Sequence, residues 1–120
     1  MPDLAAPGAV FVPEPIVTSA SYRVSCLPPS HHLAPQFTLW VSERAGRYAV
    51  TNLWSCCLSV DGRWDHEPRP ADRPDGWDVR HRFDLPNALR LAKQAARTLT
   101  FQGRSVAQVL ADAVGGPGRG

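Results

Sequence analysis

The stretch Asp84-Leu85-Pro86-Asn87-Ala88-Leu89-Arg90-Leu91-Ala92-Lys93-Gln94-Ala95-Ala96-Arg97-Thr98-Leu99 decides the fold. Leu85, Ala88, Leu89, Ala92, Ala96 and Leu99 recur at helical spacing and form one apolar stripe. Asp84 carries the side-chain oxygen of an N-cap, and Pro86 falls in the first turn, where a missing N–H costs nothing. Gly103 breaks the run. Ser105 then caps a short second helix whose Val106, Val109, Leu110 and Ala113 share a face, and Gly115-Gly116 is expected to end it.

Upstream of this helix the period changes to two. Tyr22, Val24 and Cys26 alternate with Arg23 and Ser25, the pattern of a half-buried strand. Pro28-Pro29 stops it, and Ser30–Pro35 reads as a loop. Phe37, Leu39 and Val41 alternate with Thr38, Trp40 and Ser42 in a second strand. Glu43-Arg44-Ala45-Gly46 offers a tight turn into a third, Tyr48–Leu53. Cys56–Val60 gives a fourth strand or a continuation of the third across a bulge. Asp61-Gly62 then returns the chain as a hairpin into Arg63-Trp64-Asp65. From His66 to Asp78, prolines and alternating charges leave no face to bury, so a surface loop is expected. Strands followed by helices imply an α+β domain, an antiparallel sheet of about four strands packed by one main C-terminal helix plus a short second helix. Residues 1–19 read as a proline-rich tail, 20–114 as the single domain and 115–120 as a flexible glycine-rich end.

The composition agrees with one soluble domain. The chain has 120 residues, of which 43% are hydrophobic and 20% charged. No apolar run approaches the roughly 18 residues of a membrane span, so no membrane partner is expected. Three cysteines cannot close into a disulfide framework, and Cys56 and Cys57 are adjacent. The N-terminal stretch lacks a basic segment and is interrupted by Pro2, Pro7, Pro13 and Pro15, a poor signal peptide. Both features point to a cytoplasmic protein.

The net charge of +2 conceals a division. Residues 61–78 hold six acids and three arginines, whereas Arg80, Arg82, Arg90, Lys93, Arg97 and Arg104 face only Asp84 in residues 79–104. At helical pitch from Leu85, Lys93, Arg97 and Arg90 fall at roughly 80°, 120° and 140°, one edge beside the apolar stripe. Such an edge can track a phosphate backbone, with Arg80, Arg82 and Arg104 at its ends and Phe83 or Trp77 to stack on a base. Against this, twelve of the thirteen basic residues are arginine, and GC-rich coding produces that excess without function.

Three segments, Leu58–Pro68, His81–Ala92 and Gly103–Leu110, carry a G-x-W-D-x-E-P strand end, an H-R-F-D helix entry and a short capped helix. In these the chain resembles small uncharacterised proteins of actinobacteria and their phages or mobile elements. The resemblance implies a bacterial cytosolic origin and brings no activity or site residue with it.

Catalytic and metal chemistry find little support. Cys26, His31, His32, Cys56, Cys57, His66 and His81 are the candidate ligands, but no C-x-x-C or H-x-x-x-H pair occurs. No metal site and no cofactor are expected. In an extended segment Asp65 and Glu67 face one side about 7 Å apart, a spacing that could hold a catalytic water. Flanking Arg63 and Arg69 suggest ordinary charge pairing instead. Asp72, Asp75 and Asp78 lack the calcium-loop pattern. Cys56 or Cys57 with His66 or His81 would make a thiol–imidazole pair only if the fold joined them.

Trp40 lies opposite the face of Phe37, Leu39 and Val41, so it is expected on the uncovered side of the sheet, with Trp54 near it. Exposed tryptophans favour a protein interface, unless Val10, Phe11 and Val12 fold back over Trp40. The expected function is therefore a small non-catalytic accessory or adaptor protein acting on another protein through the sheet face at Trp40 and Trp54. The alternative is a nucleic-acid-binding protein using Arg90, Lys93 and Arg97, and an enzyme stands third.

Overall fold

The computed structural model describes residues 11–16 and 21–119, and side chains as far as residue 112. Five strands form one antiparallel sheet in the order β1-β2-β3-β4-β5: Ser21–Ser25, Thr38–Arg44, Arg47–Thr51, Cys56–Leu58 and Trp64–His66. The sheet has five strands rather than four because the Asp61-Gly62 turn carries Trp64–His66 back onto β4, pairing Cys57 with Asp65 and Leu58 with Trp64. Between β2 and β3 the loop is two residues, Ala45 at φ 52° and Gly46 at φ 86°. Positive φ at both positions is the hairpin geometry that matches strand twist, and glycine adopts it without steric cost.

Three helices follow: α1, Trp77–His81; α2, Leu85–Ala96; and α3, Val106–Arg119. The Asp84 side chain accepts from the Asn87 N–H at 2.9 Å and caps α2. α2 ends at Ala96, three residues before the expected Leu99, and Thr98 turns back with its hydroxyl and N–H on the Ala95 carbonyl. Gly103 does not simply break a helix. With Gln102 it makes a second two-residue turn at positive φ, joining β6, Thr100–Phe101, to β7, Arg104–Ser105. Ser105 and Gln108 exchange side-chain-to-backbone hydrogen bonds at 3.2 and 2.8 Å, a capping box that starts α3. α3 runs through the Gly115-Gly116 pair expected to end it. Each glycine weakens a helix by about 1 kcal/mol relative to alanine without forbidding it.

α2 lies across β1, β2 and β3. Ala88, Ala92 and Ala96 recur every four residues, are fully or almost fully buried, and pack against Leu39, Val41, Val50, Leu58 and Phe83. Leu89 is only half-buried at the margin of this cluster. Phe37 is fully buried but belongs to a second cluster with Leu27, Val106 and Val109, so it packs beneath α3 rather than α2. The expected surface loop 66–78 also behaves differently. Its end folds into α1, and Trp77, His81 and Arg82 are all buried.

Candidate functional site

The sheet register sets Arg23, Trp40, Thr51, Cys57 and Asp65 side by side on the face away from α2. At the β4–β5 end this face is sealed by charged and aromatic side chains instead of a second apolar layer. Glu67 accepts from the Cys57 thiol at 3.3 Å and from Arg73 at 2.6 Å, and forms an ion pair with Arg82 at 3.1 Å. The guanidinium carbons of Arg73 and Arg82 stand 4.8 and 5.0 Å from the Trp77 ring centre, within cation–π range. His81 stacks on Trp77 at 4.1 Å and joins the Trp77 carbonyl and the Asp65 carboxylate, each at 2.8 Å.

The ionisable groups of this cluster are held by one another. Burial, with the Glu67 hydrogen bond second, raises the Cys57 thiol to about 11. A thiol held protonated is a poor nucleophile. Burial works against the Glu67 charge, but the Cys57 hydrogen bond and the guanidinium groups of Arg82, Arg44 and Arg73 outweigh it and hold this carboxyl below its usual range. The His81 hydrogen bond lowers Asp65, with help from Arg63 and Arg80 against partial burial. Both nitrogens of His81 are engaged by oxygens, so neither is free to accept a proton from a substrate. Cys57 is bonded to Glu67 and not to His81. Cys56 and His66 do stand opposite each other on β4 and β5, with the Cys56 thiol directed at the Trp54 carbonyl. Asp65 and Glu67 share a face as expected but serve different partners.

The remaining candidate ligands lie outside this cluster. His31 and His32 stack on each other, Cys26 is exposed, and Cys56 and Cys57 differ in burial across the strand. Among the described residues no group of three or more histidine, cysteine or acidic side chains stands close enough to hold a metal ion. No described helix is long and apolar enough to cross a membrane.

Of the basic residues singled out by sequence, the fold separates two groups. Arg80 is paired with Asp61 at 2.5 Å, Arg82 with Glu67, and Arg104 with Asp112. Arg82 is moreover buried, and Trp77 and Phe83 are covered, so none of these three can meet a nucleic acid. Arg90, Lys93 and Arg97 instead line one shallow depression of about 410 Å³, all exposed. Arg90 reaches only the neutral Asn87 oxygen, at 3.1 Å.

That depression does not stand alone. Arg90 and Gln94 also line a second, which shares Arg47 and Arg82 with a third, and the third shares Arg44 and Glu67 with a fourth. Arg97, Lys93, Arg90, Arg47 and Arg44 thus follow one another along a continuous surface track. Among the described residues none of the five lies within ion-pair distance of an acid. Arg44 and Arg47 even face each other directly across the hairpin. Like charges so placed destabilise a strand pair. Sequence reading missed these two because they lie on a different element from α2. The available signal was the Arg44-Ala45-Gly46-Arg47 turn itself, which must set its flanking residues opposite one another.

The two tryptophans have different surroundings. Trp40 is half-buried on the floor of a groove of about 390 Å³ between Arg23, Leu27, Pro29, Pro35 and Thr38. Trp54 is on the β3–β4 turn, 54% exposed and stacked against Phe101 at 6.4 Å. Phe11 and Val12 are 80% and 78% exposed, so they do not cover Trp40; Val10 lies outside the described residues. No family model matches the chain, and no curated protein or solved structure matches it either.

Proposed function

We propose that this is a small non-catalytic binding protein whose main ligand is the phosphate backbone of a nucleic acid. The observation that carries the reading is the track of five exposed cations, none within ion-pair distance of an acid among the described residues, including the directly opposed Arg44 and Arg47. Asp84, Glu67 and Asp78 also line these depressions, but the cations outnumber them, and an excess of positive charge along one surface is a footprint for a polyanion. Arg80, Arg82 and Arg104 are neutralised within the protein and take no part. Phe83 lines one of these depressions but is buried, so it is not placed to stack on a base, and no recognition helix offers base-reading side chains among the described residues. Backbone contact without sequence preference follows.

The test is binding to mixed DNA and RNA oligonucleotides at several salt concentrations. Each contact removed by Arg→Gln or Lys→Gln flattens the log–log salt slope by about 0.9 on duplex DNA, so the fivefold variant should lose about 4 to 5 in slope. Arg80→Gln, on a residue already paired, should leave the slope unchanged. Absence of wild-type binding at about 50 mM salt and micromolar protein overturns the reading, since non-specific binders reach that range.

A second contact, with a protein partner, is favoured by Trp40 at the floor of its open groove. This is the adaptor function read on the uncovered sheet face, now resting on Trp40; Trp54 is in a separate setting against Phe101. Trp40→Ser should abolish that contact and leave oligonucleotide binding intact.

A further inference from the structure

The groove above Trp40 has an unused counterpart in the same chain. Phe11-Val12-Pro13-Glu14-Pro15-Ile16 is irregular, and its three large apolar side chains are about as exposed as side chains become, at 80%, 78% and 86% for Phe11, Val12 and Ile16. Alternate prolines hold such a segment extended and lower the entropy lost on docking. Extended proline-rich peptides bind in grooves with an aromatic floor, and here the floor is Trp40 and the walls include Pro29, Pro35 and Leu27. The charges also match. Glu14 is the one acid of the segment, Arg23 lies at the groove, and among the described residues neither has an ion-pair partner.

We infer that the segment Phe11–Ile16 of one copy docks in the Trp40 groove of a second copy, with Glu14 on Arg23, in a reciprocal dimer. The linker argues for exchange between copies. The groove begins at Arg23, on the strand into which this segment leads, so docking within one chain needs a sharp reversal within residues 17–20. Those residues are Val17-Thr18-Ser19-Ala20, with two β-branched side chains and no glycine, proline, asparagine or aspartate to make the turn. With no turn-forming residue in this stretch, the sequence favours a groove on another copy over the chain's own. A twofold arrangement then fills both grooves at once and closes without further growth.

This inference rests on the groove being a protein contact, and the experiment separates the two. Sedimentation equilibrium of the full chain should show a concentration-dependent doubling of mass. Glu14→Arg and Arg23→Glu should each abolish it, and mixing the two variants should restore it, because the reversed pair meets only between copies. A wild-type chain that stays monomeric to about 0.1 mM, or single variants that still dimerise, overturns the second-copy occupant. In parallel, a synthetic peptide of residues 11–16 is titrated into the full-length wild-type chain and into Trp40→Ser. Peptide binding that depends on Trp40, in a monomeric chain, overturns the dimer and keeps the groove as a peptide site. No peptide binding to a monomeric chain overturns both.

Discussion

Cys57 gives a prediction that can be followed quantitatively. Its side chain is fully buried beneath Glu67, and its thiol is raised from the usual 9.0 to about 11. The folded protein therefore keeps the proton through a range in which the unfolded chain loses it. Linkage fixes the sign: stability is fully present below about pH 9 and is lost as pH rises toward about 11. The loss approaches about 1.4 kcal/mol per pH unit in that window and totals about 2–3 kcal/mol, for two units of displacement. The measurement is a difference, which cancels every group the two proteins share. Urea unfolding of wild type and Cys57→Ala is followed at several pH values from about 7 to 11. The substitution removes the thiol and leaves Glu67 with Arg73 and Arg82, so the variant should be the less stable near pH 7 and should close the gap by about 2 kcal/mol at the alkaline end. Parallel curves for the two proteins would refute the reasoning. A thiol reagent offers a second reading at about pH 8: Cys26 should react readily, Cys56 more slowly, and Cys57 only on unfolding.

Further outcomes follow from burial, capping and charge. Phe37→Ala should cost about 3–5 kcal/mol in chemical denaturation, whereas Leu89→Ala, half-buried beside the core, should fall below the roughly 2–5 kcal/mol of a fully enclosed leucine. Asp84→Ala should cost about 1 kcal/mol through the lost cap of α2, seen as a lower urea midpoint with unchanged m-value. Asp65 has its carboxyl lowered chiefly by His81, so its contribution is present above the ordinary carboxylate range and is lost as pH falls through the depressed value. Asp65→Asn should flatten the acid side of the Tm-against-pH curve, and an unchanged acid limb would show that the His81 contact contributes nothing.

The α+β fold was legible because its main signals are local. Alternation at Tyr22–Cys26 and Phe37–Ser42, the Ala45-Gly46 and Asp61-Gly62 turns, and the Asp84 cap each lie within a few consecutive residues. α1 was not legible. It is five residues long, and its burial comes from Arg73, Arg82 and His81 gathering on Trp77, a pattern with no period. Strands of two residues, as in β6 and β7, are too short to alternate visibly. The basic edge of α2 was readable from helical pitch, and Arg90, Lys93 and Arg97 do share a surface. Which cations are neutralised is a matter of tertiary distance. Arg104 reads like its neighbours in the sequence, and only the fold brings Asp112 beside it, nearly two helical turns into α3. The extension through Arg47 and Arg44 depends on how the hairpin lies beside α2, which no local pattern encodes.

The sequential order of the sheet has a kinetic consequence. Every strand pairs with its neighbour in the chain, so each hairpin can close over a short loop of its own. The distant closure is the seating of α2 on β1, across some sixty residues of intervening chain. Loop closure grows costlier with length, and folding slows with the mean sequence separation of contacts. The β2–β3 hairpin, with its two-residue turn, is the natural place for structure to start, and the alanine row of α2 reports the later step. Substitutions at Val50 should slow folding, while those at Ala92 should chiefly hasten unfolding, a contrast that stopped-flow chevrons of the two variants would register directly.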